Sequence, residues 1–509
     1  MNFLKSNLAG RLLKINLILL VILAATLPYL NSLSTPEFIS DDSALFKTGS
    51  LIRDMNNWDE IITQGWWQDN YASYFFLYRP LTTLTFAVNF AVGRLNPFSY
   101  HLVNLILHII NSLLVFVLIK SLFKKNVPAL VTGLLFAVHP IHTEAVNWLV
   151  GRTELLSFSF VLASLIFYLN YRRRFKAIHL VLALTFFILA LLAKENGIVV
   201  LPLVILVELF LLPRQPAKVL FKNSLTNLRK LILPYAFFLS IAGTWLVWRW
   251  AVERFFDPLV NSVESGVAFI GNNPLYFLAF WERFINGVKI LVFYALKLLA
   301  WPVKLAHLYY FDSISVSRGF DPEIIISFLV VAALLFLTVY WFKNHRGLFF
   351  ASGWFLASFL PFSNLFFPIP LIFGERLLYL PSLGFCLFLA IFFDKLHRRK
   401  QYWLKALAVV LLTVVLLAGA WRTYQRNFDW QSGRLLDQKT FEAVPNNIRV
   451  RFNIALNLIA DGRLQEAASH LEEILKIEPN HQQAEQVLRD IKYEIGLLPD
   501  KTGEDINEE

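Results

Sequence analysis

Long blocks of apolar residues alternate with short polar segments along most of the chain. Each block is about twenty residues long, the length a helix needs to cross a bilayer core of roughly 30 Å. The pattern predicts an all-α, polytopic bundle of about eleven membrane-spanning helices. They lie near residues 12–31, 99–120, 128–142, 154–170, 177–193, 197–213, 231–252, 322–342, 348–362, 378–393 and 401–420.

Basic residues cluster in alternate loops between the apolar blocks, for example Lys124-Lys125 and Arg172-Arg173-Arg174. Because Lys and Arg accumulate in cytoplasmic loops, these clusters predict a cytoplasmic N-terminus and an extracytoplasmic C-terminus. In a bacterium the membrane would be the cell inner membrane. The first apolar block is interpreted as a transmembrane helix and not as a cleaved signal peptide, since no small-residue cleavage site clearly follows it.

Two apolar segments do not fit a simple crossing. Leu81–Val92 is too short to span and would place the basic clusters outside if it did, so we expect a helix on the outer membrane surface. The stretch from Phe284 to Pro302 contains two lysines, and the positions of later loops require zero or two crossings there. It is predicted to be re-entrant or to lie on the surface.

The composition becomes polar and charged after Trp421. Pro445 and Pro479 lie thirty-four residues apart in similar contexts, and small and large apolar residues alternate between them. That spacing is typical of a tetratricopeptide repeat, a helix–turn–helix unit. The predicted domains are a membrane domain over 1–430, with a first outer loop at 32–98, a repeat domain over 431–497, and a disordered acidic tail over 498–509.

The overall composition agrees with a membrane protein. The chain is 57% hydrophobic and only 16% charged, whereas soluble domains have about 25% charged residues. The net charge of +11 lies in loop clusters, so membrane lipid is the predicted partner and nucleic acid is not. The absence of Walker and GxGxxG motifs, and of Asp-x-Asp pairs in the outer loops, argues against nucleotide-driven transport and nucleotide-sugar chemistry.

Asp41 and Asp42 follow the first predicted span directly. Carboxylates close to the membrane are costly unless they are solvated or used. One of them could accept a proton from an acceptor hydroxyl as a general base while a sugar is transferred. The alternative is a helix cap, since Asp is an ordinary residue at a helix start.

Histidines and a glutamate cluster in a second outer segment, at His139, His142 and Glu144. Such a set could bind a metal, but Pro140 interrupts any helix and the spacing differs from the zinc pattern HExxH. Hydrogen bonding to a sugar or an anion is therefore favoured, no metal site is predicted, and no cofactor is firmly expected.

Four cations lie near the membrane on the outer side: Arg79, Arg152, Lys194 and Arg376. They could bind the phosphate of a lipid-linked donor, although contact with lipid headgroups is an equal alternative. Glu195 and Glu375 each stand beside one of these cations. An internal ion pair is therefore the expected arrangement for both carboxylates.

Several motifs occur together in order along the chain. The motifs are Asp41-Asp42, Tyr78-Arg79-Pro80-Leu81, His139-Pro140-Ile141-His142-Thr143-Glu144, Gly151-Arg152-Thr153-Glu154, Lys194-Glu195-Asn196-Gly197, Glu375-Arg376-Leu377-Leu378-Tyr379 and Arg426-Asn427-Phe428-Asp429-Trp430. With these motifs in this order, the chain resembles the transmembrane and tetratricopeptide-repeat-containing protein O-mannosyltransferases and their bacterial relatives.

The resemblance implies a C-type glycosyltransferase fold and inverting transfer of a sugar, mannose in this family, from a polyprenyl-phosphate donor. The acceptor it implies is a protein Ser or Thr hydroxyl, and the catalytic acidic residue maps onto Asp41 or Asp42. Donor phosphate or sugar binding would fall to Arg79, His139, His142, Glu144, Arg152, Lys194, Glu195, Glu375 and Arg376. The chain has about one repeat where animal members have many, which leaves two alternatives open: transfer to a lipid or cell-surface glycan, and a non-enzymatic membrane scaffold.

Overall fold

The computed structural model describes residues 15–43, 45–46, 51–63, 77–212, 224–256, 273–309, 313–369 and 371–495. Within these ranges the chain is helical, and the bridge between Tyr309 and Phe373 is the one isolated β-type pairing. The all-α fold class predicted from the apolar blocks is therefore confirmed. The predicted acidic tail at 498–509 lies outside the described residues.

The helices follow one another with short connections. In the first half they are α1 (Ile15–Ser34), α2 (Asp41–Ser43), α3 (Trp58–Thr63), α4 (Pro80–Gly93), α5 (Pro97–Phe123), α6 (Asn126–Ala137), α7 (Pro140–Asn147), α8 (Arg152–Arg174), α9 (Ala177–Ala193) and α10 (Val200–Leu211). In the second half they are α11 (Ser224–Phe256), α12 (Phe280–Ile290), α13 (Pro322–Asn344), α14 (Arg346–Phe359), α15 (Ser382–His397), α16 (Tyr402–Phe428), α17 (Gly433–Ala443), α18 (Ile448–Ala460), α19 (Leu464–Ile477) and α20 (Gln482–Glu494).

Six of the described helices are long and apolar enough to cross a membrane: α1, α5, α8, α11, α13 and α16. The pair α6 and α7, bent by 51° at its break, could form a seventh span. These helices make the chain an integral membrane protein. Each of the other predicted spans also contains a helix, but α9, α10, α14 and α15 have only 17, 12, 14 and 16 residues. The count of about eleven therefore stays a prediction.

The spans differ in what covers them. The span ending in α8 is 83% buried inside the protein, whereas α13 and α16 are 11% and 6% buried. A large apolar surface on a folded chain must be covered by a partner or by lipid. We infer that α8 is the centre of the bundle and that α13 and α16 face the acyl chains.

Two short breaks in the helices lie at the end of the bundle where α1 ends and α8 begins. We call this the outer end, because the positions of the basic loops predict that it lies on the extracytoplasmic side. Pro140 lacks a backbone N–H and interrupts the helix between α6 and α7. Gly151 closes the turn before α8, where a Cβ would lie 2.5 Å from the carbonyl oxygen of Ala145. The tight turn presents the N–H groups of Leu149 and Val150 away from α8.

The segment predicted to be re-entrant or surface-lying is an interrupted helix. α12 continues through a π-helical turn, Leu291–Leu296, into Lys297–Ala300. None of these pieces is among the described helices that could span the membrane by length and composition. The Leu299 carbonyl is 3.0 Å from Nε2 of His139, so the two interrupted helices meet. The predicted surface helix at Leu81–Val92 forms as α4, and the membrane placement of both segments stays a prediction.

The C-terminal helices pack as antiparallel neighbours around their own small core. Asn447 and His481 cap α18 and α20 at equivalent places, two residues after the prolines that set the thirty-four-residue spacing. Gly462 turns the chain between α18 and α19 with a φ of +73°, a conformation that favours glycine. The helix–turn–helix geometry fits the predicted repeat, and its assignment as a tetratricopeptide repeat stays a prediction.

Candidate active site

A sharp turn presents the two aspartates at the outer end. Ser40 adopts a left-handed conformation with φ of 54°, which is uncommon for a residue other than glycine, and α2 begins directly after it. The two carboxylates leave this turn in different surroundings: Asp42 is buried and Asp41 is half-buried. The structure therefore separates two neighbours that the sequence left equivalent.

The Asp42 carboxylate binds the backbone N–H groups of the turn before α8. Its Oδ2 accepts a hydrogen bond from the N–H of Leu149 at 3.2 Å, and its Oδ1 accepts one from the N–H of Val150 at 3.0 Å. Burial raises the pKa of Asp42 well above its usual range, and these two N–H groups oppose that shift. Both oxygens are used to hold the turn before α8, so Asp42 fixes the site and is poorly placed to take a proton.

Asp41 remains available for chemistry. Among the residues that the structure describes, none donates a hydrogen bond to its carboxylate. Burial raises the pKa of Asp41, and the charges of Arg449 and Arg376 oppose the shift. Asp41 is half-buried, is acted on by two cations, and accepts no hydrogen bond from a described residue. A carboxylate in these surroundings has the properties of a general base.

Replacing Asp42 by asparagine is expected to lower stability, because an amide NH₂ cannot accept either N–H of the turn. One buried N–H would lose its partner, at a cost of about 1–3 kcal/mol. Thermal unfolding in detergent measures this effect, with Asp41→Asn as the matched control that should unfold at the wild-type temperature. Equal melting of the two variants would contradict the capping role.

Arg376 joins the aspartates from the turn before α15. Its main-chain N–H donates to Oε2 of Glu144 at 2.8 Å, and its Nη1 pairs with Oε1 of the same carboxylate. The guanidinium lies over the Trp148 indole, 4.5 Å from the ring centroid. Glu144 is fully buried and holds Arg376 in place, and its contact with donor or sugar stays a prediction.

Two further ion pairs line the same end of the bundle. Arg79 pairs with Glu195 through two contacts of 2.6 and 3.1 Å. Lys194 pairs with Glu154, whose other oxygen accepts from Asn196 Nδ2 at 2.9 Å. The internal ion pair expected for Glu195 is therefore present, but its partner is Arg79 and not the neighbouring Lys194, which pairs with Glu154.

Glu375, in contrast, lacks the expected ion pair among the described residues, since Arg376 pairs with Glu144. Its Oε1 accepts from the Ala306 N–H at 2.5 Å and from the Tyr309 hydroxyl at 3.1 Å. The side chain is fully buried, and burial raises its pKa to about 8, with Arg426 opposing. Both bonds tie the buried carboxyl to the segment 306–309, and its role in donor binding stays a prediction.

Replacing Glu375 by glutamine is expected to be tolerated. Because its pKa in the folded state lies above the ordinary value of 4.5, the folded state binds more protons, and its contribution to stability falls as pH rises from about 4.5 to 8. Glutamine keeps the accepting oxygen and carries no charge. In the glutamine variant, the free energy of unfolding should therefore decrease less between about pH 4.5 and 8 than in the wild type. The alanine variant should be destabilised at every pH. A glutamine variant with the wild-type pH dependence would contradict this account.

Arg152 has no face toward the outside. It is fully buried, donates to Asn104 Oδ1 at 2.9 Å and to Asn89 Oδ1 at 2.7 Å, and lies 4.3 Å from the Phe86 ring centroid. Further bonds to main-chain oxygens use most of its remaining donors. Its guanidinium is bonded to residues of α4 and α5, and phosphate binding by Arg152 stays a prediction.

The two histidines also face the protein interior. Nε2 of His139 bonds the Leu299 carbonyl, and its Nδ1 accepts from the Ile141 N–H at 3.2 Å. Nε2 of His142 lies 2.8 Å from the Ser382 hydroxyl, and the ring is fully buried. Their contact with a sugar or phosphate stays a prediction. Among the described residues no group of three His, Cys, Asp or Glu could hold a metal.

The structure adds residues that sequence patterns missed. His307 lies between the Trp148 and Trp430 rings, at centroid distances of 5.1 and 4.9 Å, and Tyr309 holds Glu375. Both come from the interrupted segment after α12, whose sequence shows no motif. Arg449 acts on Asp41 from the start of α18, and only the thirty-four-residue spacing marked that helix as a unit.

Relatives among characterised proteins cover most of this chain. It is 30% identical over 487 residues to the protein O-mannosyl-transferase F38B6.6 of Caenorhabditis elegans, covering 93% of this chain and 64% of that protein. It is 30% identical to the human protein O-mannosyl-transferases TMTC3 and TMTC1, covering 79% and 80% of this chain and 45% and 48% of theirs. The chain thus spans about half to two thirds of the length of these relatives.

Other comparisons add less. No model of a known protein family matches the chain. An Archaeoglobus fulgidus oligosaccharyltransferase tethered to an acceptor peptide aligns with a TM-score of 0.39 and 15% identity, over 70% of this chain and 47% of that one. That likeness is too low to carry an argument, so the C-type glycosyltransferase fold stays a prediction. The relatives confirm the resemblance carried by the motifs: this chain is a homologue of the transmembrane and tetratricopeptide-repeat-containing protein O-mannosyl-transferases.

Proposed function

We propose that this protein is a membrane glycosyltransferase that moves mannose from a polyprenyl-phosphate donor to a Ser or Thr hydroxyl of a protein on the extracytoplasmic side. The observation that carries the proposal is the Asp41 carboxylate, which no described residue hydrogen-bonds and which lies near Arg376 and Arg449 at the outer end. The names of the homologues supply the sugar and the acceptor class.

Asp41 acts as the general base in this proposal. An acceptor hydroxyl approaches from outside and gives its proton to Asp41 while its oxygen attacks the anomeric carbon. The new C–O bond forms as the bond to the phosphate oxygen breaks, with inversion in one step. Polyprenyl phosphate leaves with the electron pair and needs no proton, which distinguishes the reaction from hydrolysis by two carboxylates.

Cations at the outer end favour this leaving group. The donor phosphodiester carries one negative charge, and the departing phosphate carries about two at neutral pH. Arg376 is held over Trp148 and is only partly used by Glu144, while Lys194 and Arg79 lie at the ends of neighbouring helices. Charge that develops in the transition state is stabilised by such fixed cations. The polyprenyl chain would lie in the lipid that covers α13 and α16.

Cells that express the wild-type chain or its Asp41→Asn variant test the proposal. Mass spectrometry of envelope glycoproteins and glycolipids should find hexose on Ser or Thr of proteins only with the wild-type chain. Hexose that depends on Asp41 but appears only on lipids or glycans would change the acceptor. Equal amounts of transferred hexose in both cultures would move the base to another residue. No transferred hexose in either culture would favour a scaffold and sink the enzymatic proposal.

A further inference from the structure

The C-terminal helices are built into the active-site end of the membrane domain. Leu436 of α17 is buried in one apolar cluster with Ile39, Phe46 and Trp148, residues that flank the aspartates in sequence or in space. Trp430, just before α17, belongs to the same cluster. By contrast, α18–α20 have their own core. α17 therefore connects the turn that carries Asp41 and Asp42 to the helices α18–α20.

Hydrogen bonds fix the start of α18 against the segment that holds Glu375. The Thr440 hydroxyl accepts from the His307 N–H at 3.1 Å, and Asn447 Nδ2 donates to the Leu308 carbonyl at 2.7 Å. Both polar side chains are fully buried. Because Asn447 also caps α18 through the N–H of Val450, the first turn of this helix has a defined position at the site.

Arg449 lies in that first turn, two residues after Asn447, and is exposed. Its charge acts on Asp41, His307 and Asp437. Arg376, the other cation acting on Asp41, comes from the membrane domain, where the donor phosphate would lie. Arg449 comes from the part of the chain predicted to lie outside the membrane, from which a protein acceptor would arrive.

We infer that Arg449 is a positioning residue for the proposed transfer, delivered by the C-terminal helices to the acceptor side of Asp41. The inference rests on the proposed function. It gives these helices a role within the active site, in addition to any acceptor surface they offer. Arg449 would keep the Asp41 carboxylate ionised when the acceptor hydroxyl binds and excludes water.

The test compares Arg449→Gln and Arg449→Lys with wild type in transfer from a mannosyl polyprenyl phosphate to a short Ser/Thr peptide, measured against pH. Arg434→Gln is the control, because Arg434 is an exposed arginine of α17 whose partner is Asp461 at 2.8 Å. The charged groups around the aspartates are Asp42 beside Asp41, Arg376 and Arg449 facing Asp41, and Arg152 facing Asp42.

The glutamine variant should move the acid limb of kcat/KM to higher pH by about one unit, and should lose about tenfold in rate below that limb. The lysine variant should restore most of the limb, and Arg434→Gln should match wild type. The position of the limb does not depend on how much enzyme is folded, so partial misfolding does not obscure the result.

An unchanged limb and unchanged kcat in Arg449→Gln would overturn the inference while leaving the proposed function intact. An inactive wild-type protein would instead overturn the proposed function, and the inference with it. A lysine variant as impaired as the glutamine variant would also overturn the charge-based role.

Discussion

Replacing Asp41 by asparagine should reduce sugar transfer by roughly 10²- to 10⁴-fold, the contribution of a general base, with normal folding. The carboxylate takes part in no hydrogen bond from a described residue, so the amide disturbs none of the hydrogen bonds that these residues form. It cannot accept the proton of the acceptor hydroxyl. Transfer assays on the purified variant, together with its melting temperature, measure both parts of the expectation.

Asp42→Asn is the matched control for this experiment. The two residues are adjacent, yet the Asp42 carboxylate holds the turn before α8, whereas no residue in the described ranges donates a hydrogen bond to Asp41. We expect Asp41→Asn to be stable and inactive, and Asp42→Asn to be less stable. The opposite pattern, with an active Asp41→Asn, would assign the base to Asp42 or to another residue.

Replacing Arg376 by glutamine should have the largest effect on stability. Glu144 is fully buried and its partner side chain is only 12% exposed. Removing one member of a buried ion pair leaves an uncompensated charge and costs roughly 3–5 kcal/mol. Denaturant unfolding should detect a loss of this size, and transfer should fall with it.

The double variant Arg376→Gln with Glu144→Gln separates the structural role of the pair from its role toward phosphate. Two neutral amides can hydrogen-bond each other, so stability should recover most of the loss. Transfer should not recover, because the cation near the leaving phosphate is still missing. Recovery of both properties would show that Arg376 serves the fold alone.

The sequence predicted where the helices lie but not which residues form ion pairs with each other, and the difference has a physical reason. A segment that crosses the membrane must be apolar along its own sequence, so it can be recognised without knowing its neighbours. Every predicted span accordingly contains a helix. Pairing depends on which helix ends meet in space. Glu195 therefore bonds Arg79, more than a hundred residues away, and not its neighbour Lys194.

The use of the candidate site stays a prediction. The motifs come together at the outer end of the bundle, where the charge of Asp41 acts on Arg376 and the charges of Arg376 and Arg79 act on Lys194. Local sequence could not reveal that Arg152, His139 and His142 are enclosed by residues from distant helices. It also could not identify Arg449 or His307, because their placement depends on how α17 and the segment after α12 pack.

The most direct test of the account is a single reaction with the purified wild-type protein in lipid vesicles. The vesicles carry a polyprenyl-phosphate mannose of known anomeric configuration, and a Ser/Thr peptide is the acceptor. The account predicts a peptide heavier by one hexose, joined through a side-chain hydroxyl with the opposite anomeric configuration by NMR, and no product from Asp41→Asn. A product with retained configuration, or equal product from both proteins, would contradict it.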